Sequence, residues 1–158
     1  MKENIIGREQ EISKLENYIS SRKSEFIAIY GRRRVGKTFL IKEMFEGRFT
    51  FRVTGKDNVS TKEQLTNFGF ALLEQMNVDT KHKDWEEAFR LLQKAIENMP
   101  EGAKVIFFDE LPWFDTRSSH FISVLEHFWN DWAFYRNDIK LITCGSATTW
   151  MIDNVINS

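Results

Sequence analysis

The segment from Phe26 to Thr38 constrains the fold more than any other part of the sequence. Phe26–Tyr30 is a short apolar run, which predicts a buried strand, and the residues after Thr38 favour a helix. Between them, GRRRVGKT matches the pattern G-x-x-x-x-G-K-[ST] at every fixed position. A strand, a glycine-rich loop and a helix in this order predict a phosphate-binding loop. Its candidate nucleotide-binding residues are Gly31, Arg32, Arg33, Arg34, Val35, Gly36, Lys37 and Thr38.

The chemistry of this loop follows from its residue types. Glycines allow backbone N–H groups to curl around an anion, and the positive end of the helix dipole lies at the same point. Lys37 is expected to reach the β- and γ-phosphates of ATP, and the Thr38 hydroxyl to bind Mg²⁺. The alternative is a glycine-rich turn with an exposed lysine.

The composition excludes several other classes of protein. The formal net charge of −1 provides no global basic field for nucleic acid or an anionic membrane. The sequence contains no apolar run of the roughly 18 residues that a spanning helix needs, and no signal-peptide-like start. A single cysteine, Cys144, excludes a disulfide within the chain. We therefore expect a cytoplasmic protein that does not contact a membrane.

A pair of carboxylates follows a second apolar run. Val105–Phe108 predicts a strand buried on both faces, as in a parallel sheet, and Asp109 and Glu110 come directly after it. Ligands of open α/β sheets bind at the carboxyl ends of the strands. We expect Asp109 to hold Mg²⁺ and Glu110 to orient or deprotonate the attacking water. The alternative for the pair is a solvated strand end.

The remaining segments predict alternating helices and strands. Helices are expected over 9–21, from Ser60 to about Met76 with a Ser60/Glu63 capping box, and from Asp84 to before Pro100. Residues 49–53 predict a second strand, and 138–146 predict a fourth that ends near Ser146. Ser146 could touch the γ-phosphate or the attacking water, with Thr143 and Cys144 as weaker candidates. Alternatively, Ser146 only starts the next helix.

Two further segments have both structural and functional interpretations. The apolar turn Ile5–Gly7, which includes Ile6, could line an adenine pocket or simply lead into the first helix. Residues 111–135 are dense in aromatic side chains, with a helix expected from about Ser118, and most of this stripe is expected in the core. Some of it could instead contact another domain or subunit. His120 and His127 lack a second ligand pair and are expected to be ordinary surface histidines.

Four segments taken together resemble a known family. They are the IGRE segment near the start with its following helix, GRRRVGKT, VIFFDELPW and LITCGSATTWM. In this order they resemble the AAA-like, archaeal-type family of prokaryotic ATPases, which is close to the signalling ATPases with numerous domains. The resemblance covers nearly the whole chain, and its second and third motifs are the specific ones.

The resemblance implies a three-layer α/β fold of the P-loop NTPase type, with a mostly parallel central sheet. It also implies that Ile6 and Gly7 lie near adenine, that Lys37 and Thr38 belong to Walker A, and that Asp109 and Glu110 form Walker B. Ser146 matches the sensor 1 region. ATP and Mg²⁺ are the implied cofactors.

The sequence departs from the family pattern at its end. A fifth core strand, a helical lid and C-terminal domains are expected but absent, so residues 1–158 are interpreted as one truncated ATPase domain. With the family strand order 5-1-4-3-2, loss of the fifth strand would expose an edge of the strand before GRRRVGKT. An unpaired apolar edge is an association hazard, so self-association is expected. DNA or protein partners would bind through the missing regions.

Three functions remain open from the sequence. The first is Mg²⁺-dependent ATP hydrolysis that drives a conformational change, slow without an added arginine. The second is a nucleotide-gated switch or interaction module with little or no turnover. The third, a P-loop kinase or GTPase, is disfavoured because Asn-Lys-x-Asp is absent and Glu110 directly follows Asp109.

Overall fold

The computed structural model describes residues 4–6, 12–30, 37–146 and 148–156, and side chains are described from Lys14 to Tyr30, from Phe39 to Ser146 and from Trp150 to Ile156. Five strands and seven helices follow one another along these residues. The strands are β1 (Asn4–Ile6), β2 (Glu25–Tyr30), β3 (Phe49–Thr54), β4 (Lys104–Asp109) and β5 (Ile139–Gly145). The helices are α1 (Ile12–Ser20), α2 (Lys37–Met44), α3 (Thr61–Met76), α4 (Trp85–Glu97), α5 (Phe121–Phe128), α6 (Phe134–Arg136) and α7 (Thr148–Met151).

The strands form one parallel sheet in the order β1-β2-β5-β4-β3. Strands β4 and β5 are buried along their whole length, which the apolar run Val105–Phe108 predicts for β4. Side chains alternate between the two faces: Phe26 and Ala28 of β2 pack on one side, and Ile27 and Ile29 on the other. The sheet therefore has a hydrophobic core on each face.

Helices cover both faces. Apolar residues of α3, α4 and α5 build the larger core, whereas α1 and α2 cover the other face. This arrangement confirms the predicted three-layer α/β fold. The larger core is rich in aromatic side chains. It includes Phe114, Phe121, Phe128 and Trp129, and Trp132 packs against it, so most of the aromatic stripe is core, as expected, although Phe134 and Tyr135 are exposed.

The edge of the sheet differs from the expectation. The order of the other four strands is as predicted, but β1 pairs with β2 along Asn4–Ile6, so Ile5 and Ile6 form a strand and not a turn. The prediction that the strand before GRRRVGKT lies at an open edge is therefore wrong. The physical reason is that two adjacent β-branched residues extend easily and find a parallel partner in Ile27–Ile29. The expectation of self-association rested on that open edge, and the pairing of β1 with β2 removes the reason for it.

Local capping signals predicted the starts of α3 and α4 correctly. The Glu63 N–H donates to Ser60 Oγ at 3.2 Å, and the Glu87 N–H donates to Asp84 Oδ1 at 2.9 Å. The helix expected from about Ser118 is α5, and it begins at Phe121. Ser118 and His120 adopt left-handed backbone conformations with φ of 58° and 59°, so they cannot belong to the helix. Among the described residues, no helix combines the length and apolar character that crossing a bilayer requires.

Candidate nucleotide-binding site

Three strand ends define the place of the predicted site. In a parallel sheet all strands point the same way, so β2, β5 and β4 end at the same end of the sheet, at Tyr30, Gly145 and Asp109. Strand β5 lies between β2 and β4. Ser146, which follows β5, therefore lies between the end of β2 and the Asp109–Glu110 pair. The sequence predicted this convergence correctly at the level of strand order.

Part of the predicted site lies outside the described residues. These are Gly7, the loop positions Gly31, Arg32, Arg33, Arg34, Val35 and Gly36, and the side chains of Ile6, Lys37 and Thr38. The described backbone ends β1 at Ile6 and begins α2 at Lys37, directly after the loop. The roles assigned to these side chains stay predictions.

Asp109 is the last residue of β4, and its side chain is only 4% exposed. Its Oδ1 accepts a hydrogen bond of 2.9 Å from the Glu110 N–H, and its backbone carbonyl accepts one of 2.9 Å from Gly55 just beyond β3. A buried carboxylate must be compensated by donors or a cation, because an unpaired one is costly to desolvate. Carboxylate and hydroxyl oxygens are also the ligands that Mg²⁺ prefers, so Asp109 is chemically suited to that ion.

Glu110 has an unusual backbone. Its φ of 52° and ψ of 48° lie in the left-handed region, which costs a non-glycine residue about 1–2 kcal/mol. Such conformations persist only where the surroundings fix them, and they cluster at functional sites. The Trp113 Nε1–H donates to Glu110 Oε2 at 3.1 Å, so one carboxylate oxygen is held by an indole.

Glu110 and Ser146 line a common cavity of about 570 Å³. Of the predicted catalytic residues, the described structure therefore brings these two together. The weaker candidates Thr143 and Cys144 are buried within β5 and do not line the cavity. The other lining residues are Asn58, Val59, Pro112, Trp113, Asp115, Thr116, Arg117 and Trp150.

The far wall of this cavity carries further charge. Partial desolvation raises the pKa of the Asp115 carboxyl above its usual value although the residue is exposed, and a hydrogen bond with Trp150 partly opposes that shift. Arg117 is exposed on the same cavity and adds a positive charge. The hydroxyls of Thr116 and Thr61 lie 2.5 Å apart, which ties this loop to the start of α3.

Sequence reasoning missed Gln64. This side chain on α3 is fully buried, and its Nε2 donates to the carbonyls of Lys56 at 2.6 Å and Trp113 at 3.0 Å. Its Oε1 accepts from the Lys56 N–H at 3.1 Å. The available signal was a polar residue four positions before Phe68 and eight before Leu72, on the apolar stripe of the helix.

No cluster of three or more His, Cys, Asp or Glu side chains able to hold a metal is present within the part of the chain that the structure describes. His127 pairs with Asp131 at 2.9 Å on the surface, and that bond raises the pKa of His127. His120 is exposed. Both histidines are exposed, which confirms the expectation that they lie on the surface.

A family model of an ATPase domain predominantly from Archaea matches residues 5–158. The chain belongs to this family. An uncharacterized protein of Methanocaldococcus jannaschii is 28% identical over 156 residues, which cover 97% of this chain and 32% of the relative. An uncharacterized ATP-binding protein of the same organism is 44% identical over 44 residues, or 28% of this chain and 75% of that protein.

Solved structures share the fold of this ATPase-family domain. The Walker-type ATPase of Pyrococcus abyssi superposes with a TM-score of 0.62 at 19% identity, covering 99% of this chain and 51% of that one. Drosophila ORC bound to DNA superposes with a TM-score of 0.55 at 11% identity, covering 90% of this chain and 78% of that one. The chain thus spans about a third of the first M. jannaschii relative and about half of the Pyrococcus ATPase.

Proposed function

We propose that this domain binds ATP and hydrolyses it in a Mg²⁺-dependent reaction. The proposal rests on the position of Asp109 and Glu110 at the end of β4. Only β5 separates β4 from β2, the strand that precedes GRRRVGKT. Ser146 follows β5, and it shares a cavity with Glu110. The ATP-binding name of one relative and the Walker-type ATPase name of a structural neighbour support the same function.

Each residue has a distinct proposed role. Lys37 and the N–H groups of Gly31–Gly36 contact the phosphates, where they offset negative charge. Glu110 accepts a proton from the attacking water, and Ser146 hydrogen-bonds the terminal phosphate or that water. Ile6 and Gly7 lie against adenine. Mg²⁺, held by Thr38 and Asp109, supplies further neutralisation of the phosphate charge when it is bound.

The decisive experiment measures ATP affinity with and without Mg²⁺ for the wild type and Lys37→Ala. Loss of the lysine should weaken binding by at least about tenfold, which corresponds to 1.4 kcal/mol. Lys42→Ala is the matched control, because Lys42 is an exposed lysine in the last turn of the same helix. Equal affinity in Lys37→Ala and the wild type would contradict the assignment of the site.

The switch that binds ATP with little turnover is the second candidate. In this second function the Glu110 carboxylate would serve as a structural partner of the Trp113 indole, to which it is bonded, and not as a base. Turnover by the wild type and by Glu110→Gln separates the two functions. Hydrolysis predicts a fall of about 10²–10⁴-fold in the variant, whereas a switch binds ATP tightly without measurable turnover in either protein.

The role of the domain in a larger protein, its location and its partners are also proposals. We propose that residues 1–158 form one ATPase domain whose nucleotide state changes the conformation of a larger protein, in keeping with the greater length of the relatives. A cytoplasmic location belongs to the same proposal. DNA or protein partners would be bound by regions beyond this domain, and the DNA in the ORC structure is a property of that protein.

A further inference from the structure

Trp113 makes two hydrogen bonds to the same residue, Glu110. Its backbone N–H donates to the Glu110 carbonyl at 3.1 Å, and its indole Nε1–H donates to Glu110 Oε2 at 3.1 Å. The other carboxylate oxygen, Oε1, has no hydrogen bond to any residue that the structure describes. One oxygen is thus anchored, and the other remains available in the cavity that Glu110 shares with Ser146.

The residue that anchors Glu110 is itself held in place. Residues Leu111–Phe114 form a 3₁₀ turn, and the side chains of Leu111 and Phe114 are fully buried. The Trp113 carbonyl accepts the 3.0 Å bond from Gln64, a buried side chain that also clamps Lys56. The backbone of Trp113 is therefore fixed from the core side by its buried neighbours and from α3 by Gln64.

We propose that Trp113 is a positioning residue for Glu110, so that the indole holds the carboxylate in the one orientation that presents Oε1 to the reacting water. This inference rests on the proposed function of Glu110 as the base. A glutamate side chain has several rotatable bonds, and freeing its anchored oxygen would spread it over several rotamers. Because a base must lie within hydrogen-bond reach of the proton it takes, that spread lowers the chemical rate and leaves ATP binding unaffected.

The chain contains a matched control for this bond. Trp132 Nε1–H donates to Glu97 Oε2 at the same distance of 3.1 Å. This pair lies on the exposed surface, between the π-helical turn Trp129–Ala133 and the end of α4. Both pairs join an indole to a glutamate. Only the Trp113 pair lies at the carboxyl edge of the sheet beside the predicted site.

The first measurement compares steady-state ATP hydrolysis by the wild type, Trp113→Phe and Trp132→Phe. Trp113→Phe should lower kcat by about tenfold or more with an unchanged KM for ATP, in line with the loss of an orienting partner. Trp132→Phe should leave both constants unchanged. Thermal unfolding of each variant checks that the folded protein is compared. An unchanged or increased kcat in folded Trp113→Phe would overturn the inference.

The second measurement does not depend on hydrolysis. The five tryptophans give five indole N–H signals in an ¹⁵N-labelled sample, and the signal absent from Trp113→Phe belongs to Trp113. Glu110→Ala should shift this signal strongly and leave that of Trp132 in place. An unmoved Trp113 signal would mean that the bond is absent in solution and would overturn the inference, even if ATP is hydrolysed.

The two measurements separate this inference from the proposed function. Turnover by the wild type that Glu110→Gln abolishes and Trp113→Phe retains would overturn only the role of Trp113. Absence of turnover in the wild type would overturn hydrolysis itself and, with it, any catalytic meaning of the bond. A shifted indole signal together with a kcat loss in Trp113→Phe but not in Trp132→Phe would support both.

Discussion

The side-chain amide of Gln75 on α3 pairs with both backbone groups of Arg52 on β3. The Arg52 N–H donates to Gln75 Oε1 at 2.8 Å, and Gln75 Nε2 donates to the Arg52 carbonyl at 2.6 Å. Among the described strands, β3 lies at an edge of the sheet and pairs only with β4. The amide therefore takes the place of a neighbouring strand, and Asn67 Nδ2 extends this cover by donating to the Thr54 carbonyl at 2.8 Å.

Removing that amide should expose the β3 edge. Gln75→Ala is expected to lower the free energy of unfolding by about 1 kcal/mol, because two partly exposed hydrogen bonds are lost. It should also promote concentration-dependent association, since unpaired edge groups accept strands from other chains. Urea unfolding and light scattering measure the two effects. Gln93→Ala on α4 is the control, because no hydrogen bond of the Gln93 side chain is described. A monomeric Gln75→Ala of wild-type stability would contradict this role.

The clamp made by Gln64 should matter more for stability, because it is buried. Gln64→Ala leaves the backbone groups of Lys56 and the carbonyl of Trp113 without this partner. Each buried group left unsatisfied costs about 1–3 kcal/mol, so we expect a loss of at least about 2 kcal/mol in unfolding free energy by urea titration. Because Gln64 also holds Trp113, kcat should fall in the same direction as in Trp113→Phe. Wild-type stability would show that water replaces the amide at no cost.

The elements that local signals define were predictable from the sequence. Ser60 and Asp84 cap their helices because the side chain and the N–H that it binds lie three residues apart, so the pattern is visible in one short stretch. The apolar run of β4 is equally local. The meeting of Glu110 and Ser146 followed from parallel strand order, which brings all strand ends to one edge.

The features that the sequence did not predict depend on partners far away in the chain. Strand β1 exists only because Ile27–Ile29 is available beside it, and three residues are too few for a periodic pattern. The bonds from Gln64 to Trp113 and from Gln75 to Arg52 join segments 49 and 23 positions apart. The left-handed backbone at Glu110 and Ser118 also carries no local sequence signal, because non-glycine residues other than Asn, Asp and His seldom adopt it.

The aromatic core gives a prediction of stability. Phe89 is 2% exposed, and its ring centroid lies 5.0 Å from that of Phe128 and 5.8 Å from that of Phe108. Phe89→Ala should lower the unfolding free energy by about 3–5 kcal/mol, because it removes buried apolar surface and leaves a cavity. Tyr135→Ala is the control, since Tyr135 is 72% exposed and should change stability by less than about 0.5 kcal/mol. Similar losses in the two variants by urea unfolding would argue against this core.

Lys140 gives a prediction of how stability depends on pH. This side chain at the start of β5 is buried, and Nζ donates to the carbonyl and hydroxyl of Ser21 and to the carbonyl of Lys23. Burial lowers the pKa of Lys140 below its ordinary value of 10.5, while Glu25 and Asp138 partly offset that shift and Lys23 adds to it. The unfolded chain therefore binds this proton more tightly than the folded protein does.

The sign of the effect follows from that difference. Between the lowered pKa of the folded state and 10.5, the unfolded state holds more protons, so the contribution of Lys140 to stability rises with pH. Below this window the burial penalty on the ammonium group is fully present, and above 10.5 it is absent. Unfolding free energies of the wild type and Lys140→Met, measured from neutral pH to about 10.5, isolate the contribution by subtraction. Lys94→Met, which removes an exposed lysine of α4, is the control for the loss of a positive charge at the surface. A wild-type minus Lys140→Met difference that falls as the pH rises would contradict the burial of this ammonium group.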